Sequence, residues 1–152
     1  MVIKKVLLLL CISIIGSCHG DYVKIDERYR FNNGTISRAT KRVQDYEAFK
    51  YIIPKDVEDY AQDKRYIVVY QEASQDDDNI RQTMIDGLPE GKQDSLEQKF
   101  ALMDSIKHCY WIIRKKDAYV YGPMTKTDYQ KQCHQLKINL ELKTNKGWIN
   151  WF

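Results

Sequence analysis

Turn signals divide the body of this chain into short apolar runs, and that punctuation constrains its fold more than any other feature. Asn33-Gly34 separates "YRF" from "TISRA", a pair that favours a two-residue hairpin turn because both residues tolerate positive φ. "YEAFKYIIP" reads as a strand closing at Pro54, which has no N–H to give to a central ladder. In "VEDYAQDKRYIVVYQEA" a turn around Gln62-Asp63-Lys64 precedes the apolar strand Tyr66–Tyr70. "CYWIIRKKDAYVYGP" reads as two strands joined by a polar turn at Lys115–Asp117, the second stopped by Gly122-Pro123. Alternation of Leu136, Ile138, Leu140 and Leu142 in "LKINLEL" predicts a further strand. Eleven tyrosines against three prolines fit a folded, strand-containing domain and not a disordered stalk.

Helical periodicity occurs in two places. In "DSLEQKFALMDSIKH", Asp94 and Glu97 have capping-box spacing, and Leu96, Phe100 and Met103 recur on one face with Ala101 and Ile106 beside them. "TKTDYQKQCHQL" predicts a helix capped by Thr125 or Thr127, with Tyr129, Cys133 and Leu136 turned inward. Residues 74–94 are polar and broken by Gly87, Pro89 and Gly91, which predicts a mobile excursion with one helical turn near Ile80–Ile85. The aromatic tail "GWINWF" reads as a final strand on the core, with a dip into a bilayer interface as the alternative. The expectation is α+β: a single domain over residues 28–152, with an antiparallel β-sheet and two main helices packed against it.

The amino-terminal segment has a different character. Lys4 and Lys5 precede Val6–Ile15, ten residues that are apolar apart from Ser13. A membrane-spanning helix needs about 20 such residues, whereas this length suits the core of a secretory signal. Residues 1–38 contain no alanine and so no ordinary Ala-x-Ala cleavage site. The run passes instead into Ile15-Gly16-Ser17-Cys18, which resembles the lipobox of bacterial lipoproteins; Ile15 stands where leucine is usual. The resemblance implies a signal peptide over residues 1–17, lipid on Cys18, a lipid-anchored tether over 18–27, and a protein held on a bacterial membrane facing outside the cytoplasm. The rival is ordinary cleavage after Gly20. Losing the leader leaves 22 basic against 21 acidic residues, a net charge of +1. That balance argues against nucleic acid as a partner and against a polybasic membrane patch.

Searching for chemistry yields little. There is no Gly-x-Ser-x-Gly elbow, no His-Glu-x-x-His and no phosphate-cradling glycine loop. His19 falls in the tether, and nothing in the spacing of His108 or His134 favours a catalytic dyad over surface positions. His108-Cys109 and Cys133-His134 together offer zinc-type ligands. However, neighbours on a strand point to opposite faces and neighbours on a helix diverge by about 100°, so no metal is expected. Asp76-Asp77-Asp78-Asn79 lacks the spacing of a calcium loop, with Arg81 at the sixth place and Gly87 at the twelfth. Once the leader is removed and Cys18 is lipidated, Cys109 and Cys133 are the remaining cysteines; they are either bridged or two buried thiols.

Tyr110–Ile113, Tyr121–Pro123 and Thr125–Leu136, with the upstream "VEDYAQDKRYIVVYQ", resemble the pattern of small bacterial lipoproteins carrying an uncharacterised domain. These pieces are structural punctuation, cover roughly a third of the mature chain and transfer no catalytic residue. The functional expectation is a membrane-anchored, non-enzymatic binding or accessory module of the cell envelope, without cofactor, taking a protein or small-molecule ligand. The alternatives are an inhibitor or immunity lipoprotein that neutralises an enzyme or toxin, and a small envelope hydrolase.

Overall fold

The structure is a computed structural model and describes residues 22–43, 46–74 and 78–143; the leader, Cys18, Asp76-Asp77 and the aromatic tail lie outside them. The elements run Val23–Lys24 (β1), Tyr29–Asn32 (β2), Thr35–Val43 (β3), Tyr46–Ile53 (β4), Val57–Gln62 (β5), Tyr66–Glu72 (β6), Asp78–Asp86 (α1), Glu90–Ile106 (α2), His108–Arg114 (β7), Tyr119–Met124 (β8) and Lys126–Leu136 (α3).

The strands form two four-stranded antiparallel meanders, β1-β2-β3-β4 and β5-β6-β7-β8. The class is α+β, as expected, with the strands shared between two sheets and a third helix added. Asn33 and Gly34, at φ 47° and 74°, make the hairpin turn between β2 and β3. They set the register Arg30↔Ser37 and Asn32↔Thr35. The chain changes sheets at Pro54–Asp56, where Asp56 has φ 71°. That link is held by Val57 N–H donating to Gly34 O at 2.8 Å and Glu72 N–H donating to Asp56 O at 3.0 Å.

Strands β6 and β7 are apolar on both faces because both faces are covered. Ile67, Val69, Cys109, Trp111 and Ile113 look toward the first sheet, meeting Tyr29, Ile36 and Ile53 along with Met84, Phe100 and Met103 from α1 and α2. Tyr66, Val68, Tyr110 and Ile112 look the other way, onto Tyr129 of α3 and Leu142. The second sheet is therefore the middle layer.

Three expectations need correction. The 74–94 stretch carries the nine-residue helix α1 in place of a single turn. Met84 is buried and Ile80 and Ile85 pack against the core. Arg81 makes a two-pronged ion pair with Asp104 of α2 (2.9 and 2.8 Å) and donates to Ser74 O at 3.0 Å. Helix α2 starts at Glu90 behind Pro89, with no side-chain cap, so Asp94 and Glu97 lie inside it and form no capping box. Burial of Phe100 and Met103 contributes about 1.5–3 kcal/mol each, more than the about 1 kcal/mol a cap adds. Third, 137–143 does not form a strand. Lys137, left-handed at φ 54°, ends α3, and the alternation places Ile138, Leu140 and Leu142 against the second core cluster without a ladder partner. Period-two burial reports an extended chain with one covered face, whether or not it is hydrogen-bonded. Of the two proposed caps for α3, Thr125 is used: its hydroxyl accepts from Asp128 N–H at 3.2 Å.

Lys115 stands in the turn that the sequence predicts, yet it is 5 % exposed. Its Nζ lies 2.8 Å from Asp26 Oδ2 and 2.6 Å from Gln62 Oε1, tying the β1–β2 turn to the second sheet. Burial alone would raise the Asp26 pKa, but hydrogen bonds from Lys115 and from the Arg28 and Tyr29 amides hold it below the ordinary carboxylate value. A carboxylate with a depressed folded pKa stabilises the fold above its unfolded value, about 3.9, and that stabilisation is lost as pH falls through the folded pKa. Urea midpoints should therefore drop below about pH 4, and Asp26→Asn should flatten part of that drop while lowering stability at pH 7. An unchanged acid limb in the variant would show that the latch contributes nothing.

Candidate functional site

The outward face of the first sheet carries a cleft of about 470 Å³. Its geometry follows from the hairpin register. Arg30 and Asn32 on β2 share a face with Thr35 and Ser37 on β3, and Ser37 pairs in turn with Tyr51 of β4. Tyr22 enters from the β1 side, Phe49 from β4, Lys55 from the inter-sheet link and Ile80 from α1. Thr35 and Ser37 form a floor that is 4 % and 7 % exposed, and the Thr35 hydroxyl donates to Asn32 O at 2.7 Å. The Arg30 guanidinium carbon lies 4.2 Å from the Tyr22 ring centroid and 3.6 Å from that of Phe49. Two aromatic rings from opposite sides of β2 thus fix a planar cation. Among the described residues, the lining holds two cations and no carboxylate. Tyr22 and Tyr51 stay 39 % and 36 % exposed; large aromatics left in solvent around one cleft are more informative than scattered ones.

The residues singled out in the sequence lie elsewhere. Cys109 points into the core between the sheets, its Sγ donating to Met103 O at 3.5 Å. Cys133 sits on α3 on the other side of the second sheet. Both are free thiols, so the bridge that the sequence left open is not formed: the two side chains lie on opposite faces of the second sheet. Burial, helped by Asp104, pushes the Cys109 thiol up to about 11. Burial also raises Cys133, against the opposing effect of its hydrogen bond with Tyr129, so the thiol stays protonated and is a poor nucleophile.

His134 borders a shallower groove of about 560 Å³ with Cys133, Ile138 and Leu142. His108 is at the other end of the sheet, its Nδ1 3.0 Å from the Tyr70 hydroxyl, which donates to Glu72 Oε1 at 2.7 Å. The two Cys-His pairs therefore do not converge. Among the described residues no group of three or more His, Cys, Asp or Glu side chains is placed to hold a metal, and no helix is long and apolar enough to cross a membrane.

Sequence reading missed the cleft residues. The signal was present: a two-residue turn at Asn33-Gly34 puts Arg30, Asn32, Thr35 and Ser37 on one face by counting outward. What the sequence did not supply was the approach of Phe49, Tyr51 and Lys55.

The fold and this cleft define a class: a three-layer α+β domain with an open polar and aromatic face on its outer sheet. The chain belongs to a family described as a protein of unknown function, DUF3997, whose model matches residues 27–146. No curated protein and no solved structure matches it.

Proposed function

We propose that this chain is a bacterial envelope lipoprotein, anchored through Cys18 and facing outside the cytoplasm, whose domain is a non-enzymatic binding module. The cleft on the first sheet carries the binding part of this reading. It joins polar side chains, aromatic faces and enough volume for a small ligand, since such sites run to about 300–1,000 Å³. The anchoring part is supported by the order of Lys4-Lys5, the apolar run and Ile15-Gly16-Ser17-Cys18. One acyl chain binds a membrane only reversibly, at about 0.8 kcal/mol per buried methylene, so stable anchoring requires several chains on the one cysteine.

Intact-mass measurement of protein recovered from membranes should show a chain beginning at acylated Cys18. Cys18→Ser should accumulate as the unprocessed precursor. A processed, unlipidated chain beginning at Asp21 overturns the anchor. For the module, Tyr51→Ala in the mature protein should reduce ligand recovered from envelope extract about tenfold, since a lost aromatic contact and its burial are worth more than 1 kcal/mol.

A further inference from the structure

We infer that Tyr70, Glu72 and His108 form a binding site for a strongly Lewis-acidic first-row transition ion, cupric or ferric. The register of β6 and β7 builds it. Glu72 pairs directly with His108, and Tyr70 with Tyr110. Side chains alternate along a strand, so these four share one face. It is the face turned away from the first sheet, because Tyr70 and Tyr110 belong to the cluster under α3. Tyr110 is 7 % exposed, and its ring lies 5.2 Å from that of Tyr70. The Tyr70 ring in turn lies within 5° of parallel to the His108 imidazole. Tyr70 therefore stands on a fixed base. Cys109 points the other way, into the core, and takes no part.

Distances carry the argument further. Tyr70 Oη lies 2.7 Å from Glu72 Oε1 and 3.0 Å from His108 Nδ1, and the latter two are 3.9 Å apart. A point equidistant from the three atoms lies about 2 Å from each, which matches the bonds of about 2.0–2.2 Å that zinc, a first-row ion, makes to imidazole and carboxylate. One phenolic proton stands among three atoms that each offer a lone pair. A cation in its place satisfies all three. Imidazole suits copper, iron, zinc and nickel. Of these, Cu²⁺ and Fe³⁺ are acidic enough to replace a phenolic proton at neutral pH. The Tyr70 O–H bond then breaks, its electron pair goes to the metal, and the proton leaves to water. Glu58 of β5 adds a second carboxylate whose charge acts on the Tyr70 phenol. With a phenol as third donor, His, Cys, Asp and Glu do not by themselves make up the set. His108 and Glu72 are 67 % and 56 % exposed, so the remaining coordination positions face solvent.

The test titrates chelator-treated mature protein with cupric chloride and, separately, with ferric nitrilotriacetate. One equivalent should raise a visible phenolate-to-metal charge-transfer band. A band with copper alone or with iron alone names the ion the site prefers. Tyr70→Phe keeps the ring on Tyr110; it should abolish the band and weaken binding by about tenfold or more. His108→Gln should weaken binding by a similar factor and Glu72→Gln several-fold, whereas His134→Gln, on α3, should leave both band and affinity unchanged. All four substitutions should keep the wild-type circular dichroism spectrum, since each preserves size and three of them replace exposed side chains. No band with either ion overturns the site. Wild-type affinity in both Tyr70→Phe and Glu72→Gln also overturns it and leaves an adventitious ion only, held by a lone histidine. The cleft on the first sheet has no residue in this trio, so the binding-module reading and the metal site fail separately.

Discussion

Replacing Gly122 with alanine should cost about 4 kcal/mol and move the urea midpoint down by more than about 1 M. Gly122 has φ 118°, a region that an L side chain enters only with about 1–3 kcal/mol of strain. Space is the second obstacle. A Cβ there would lie 2.8 Å from Tyr110 O and 2.9 Å from Trp111 Cε3. The first contact is backbone in the middle of β7, and the second is a ring that is 3 % exposed. Neither can yield without disturbing the core, so about 1–3 kcal/mol of overpacking adds to the strain. The pairing of β7 with β8 is also irregular here, shifting register between Tyr110 and Ile112; the added methyl falls where the ladder is weakest. Against a total stability of about 5–15 kcal/mol, such a loss is large. A midpoint within about 0.3 M of wild type would show that β8 can slide aside. Gly91, where an added Cβ meets nothing within 4 Å, is the control position.

Local features of the sequence were readable where local physics decides them. Asn33-Gly34 gave the hairpin and its register, and Thr125 gave the start of α3. The runs "YIVVY" and "CYWII" gave β6 and β7. Features decided by tertiary packing were not readable. Nothing in Pro54-Lys55-Asp56 announces that the next strand leaves for another sheet, since the turn is fixed by partners as distant as Gly34 and Glu72. Arg81 reads as one more charge in a polar stretch until Asp104 of α2 is placed beside it. Lys115 is a turn residue, as it reads, but its burial shows only once Asp26 and Gln62 close over it. The cleft lies between these cases: its β2–β3 half follows from counting around one turn, while its aromatic half requires β4 to lie alongside β3.

Gln71 is the residue least legible in the sequence and carries the second large expected effect. It directly follows the apolar run Tyr66–Tyr70, yet it is 0 % exposed. Its Nε2 donates to Lys55 O at 2.7 Å and to Pro54 O at 3.2 Å. Its Oε1 accepts from Trp111 Nε1 at 2.7 Å. One side chain thus joins the inter-sheet link to the middle sheet and satisfies two buried polar groups and one part-buried one. Gln71→Leu keeps the volume and strands all three. Each orphaned group costs about 1–3 kcal/mol, with the low end applying to the part-buried Lys55 carbonyl, so a loss of about 3–4 kcal/mol is expected. Trp111→Phe removes one bond from the other side and should cost about 2 kcal/mol, from the unpaired Oε1 and the lost ring volume. Combining the two deletes both halves of the Trp111–Gln71 bond. The double variant should therefore lose about 1 kcal/mol less than the sum of the single losses. Strict additivity would mean that the bond contributes no coupling. A Gln71→Leu protein as stable as wild type would mean that water reaches the link between the sheets, contrary to the burial of Gln71 and Trp111.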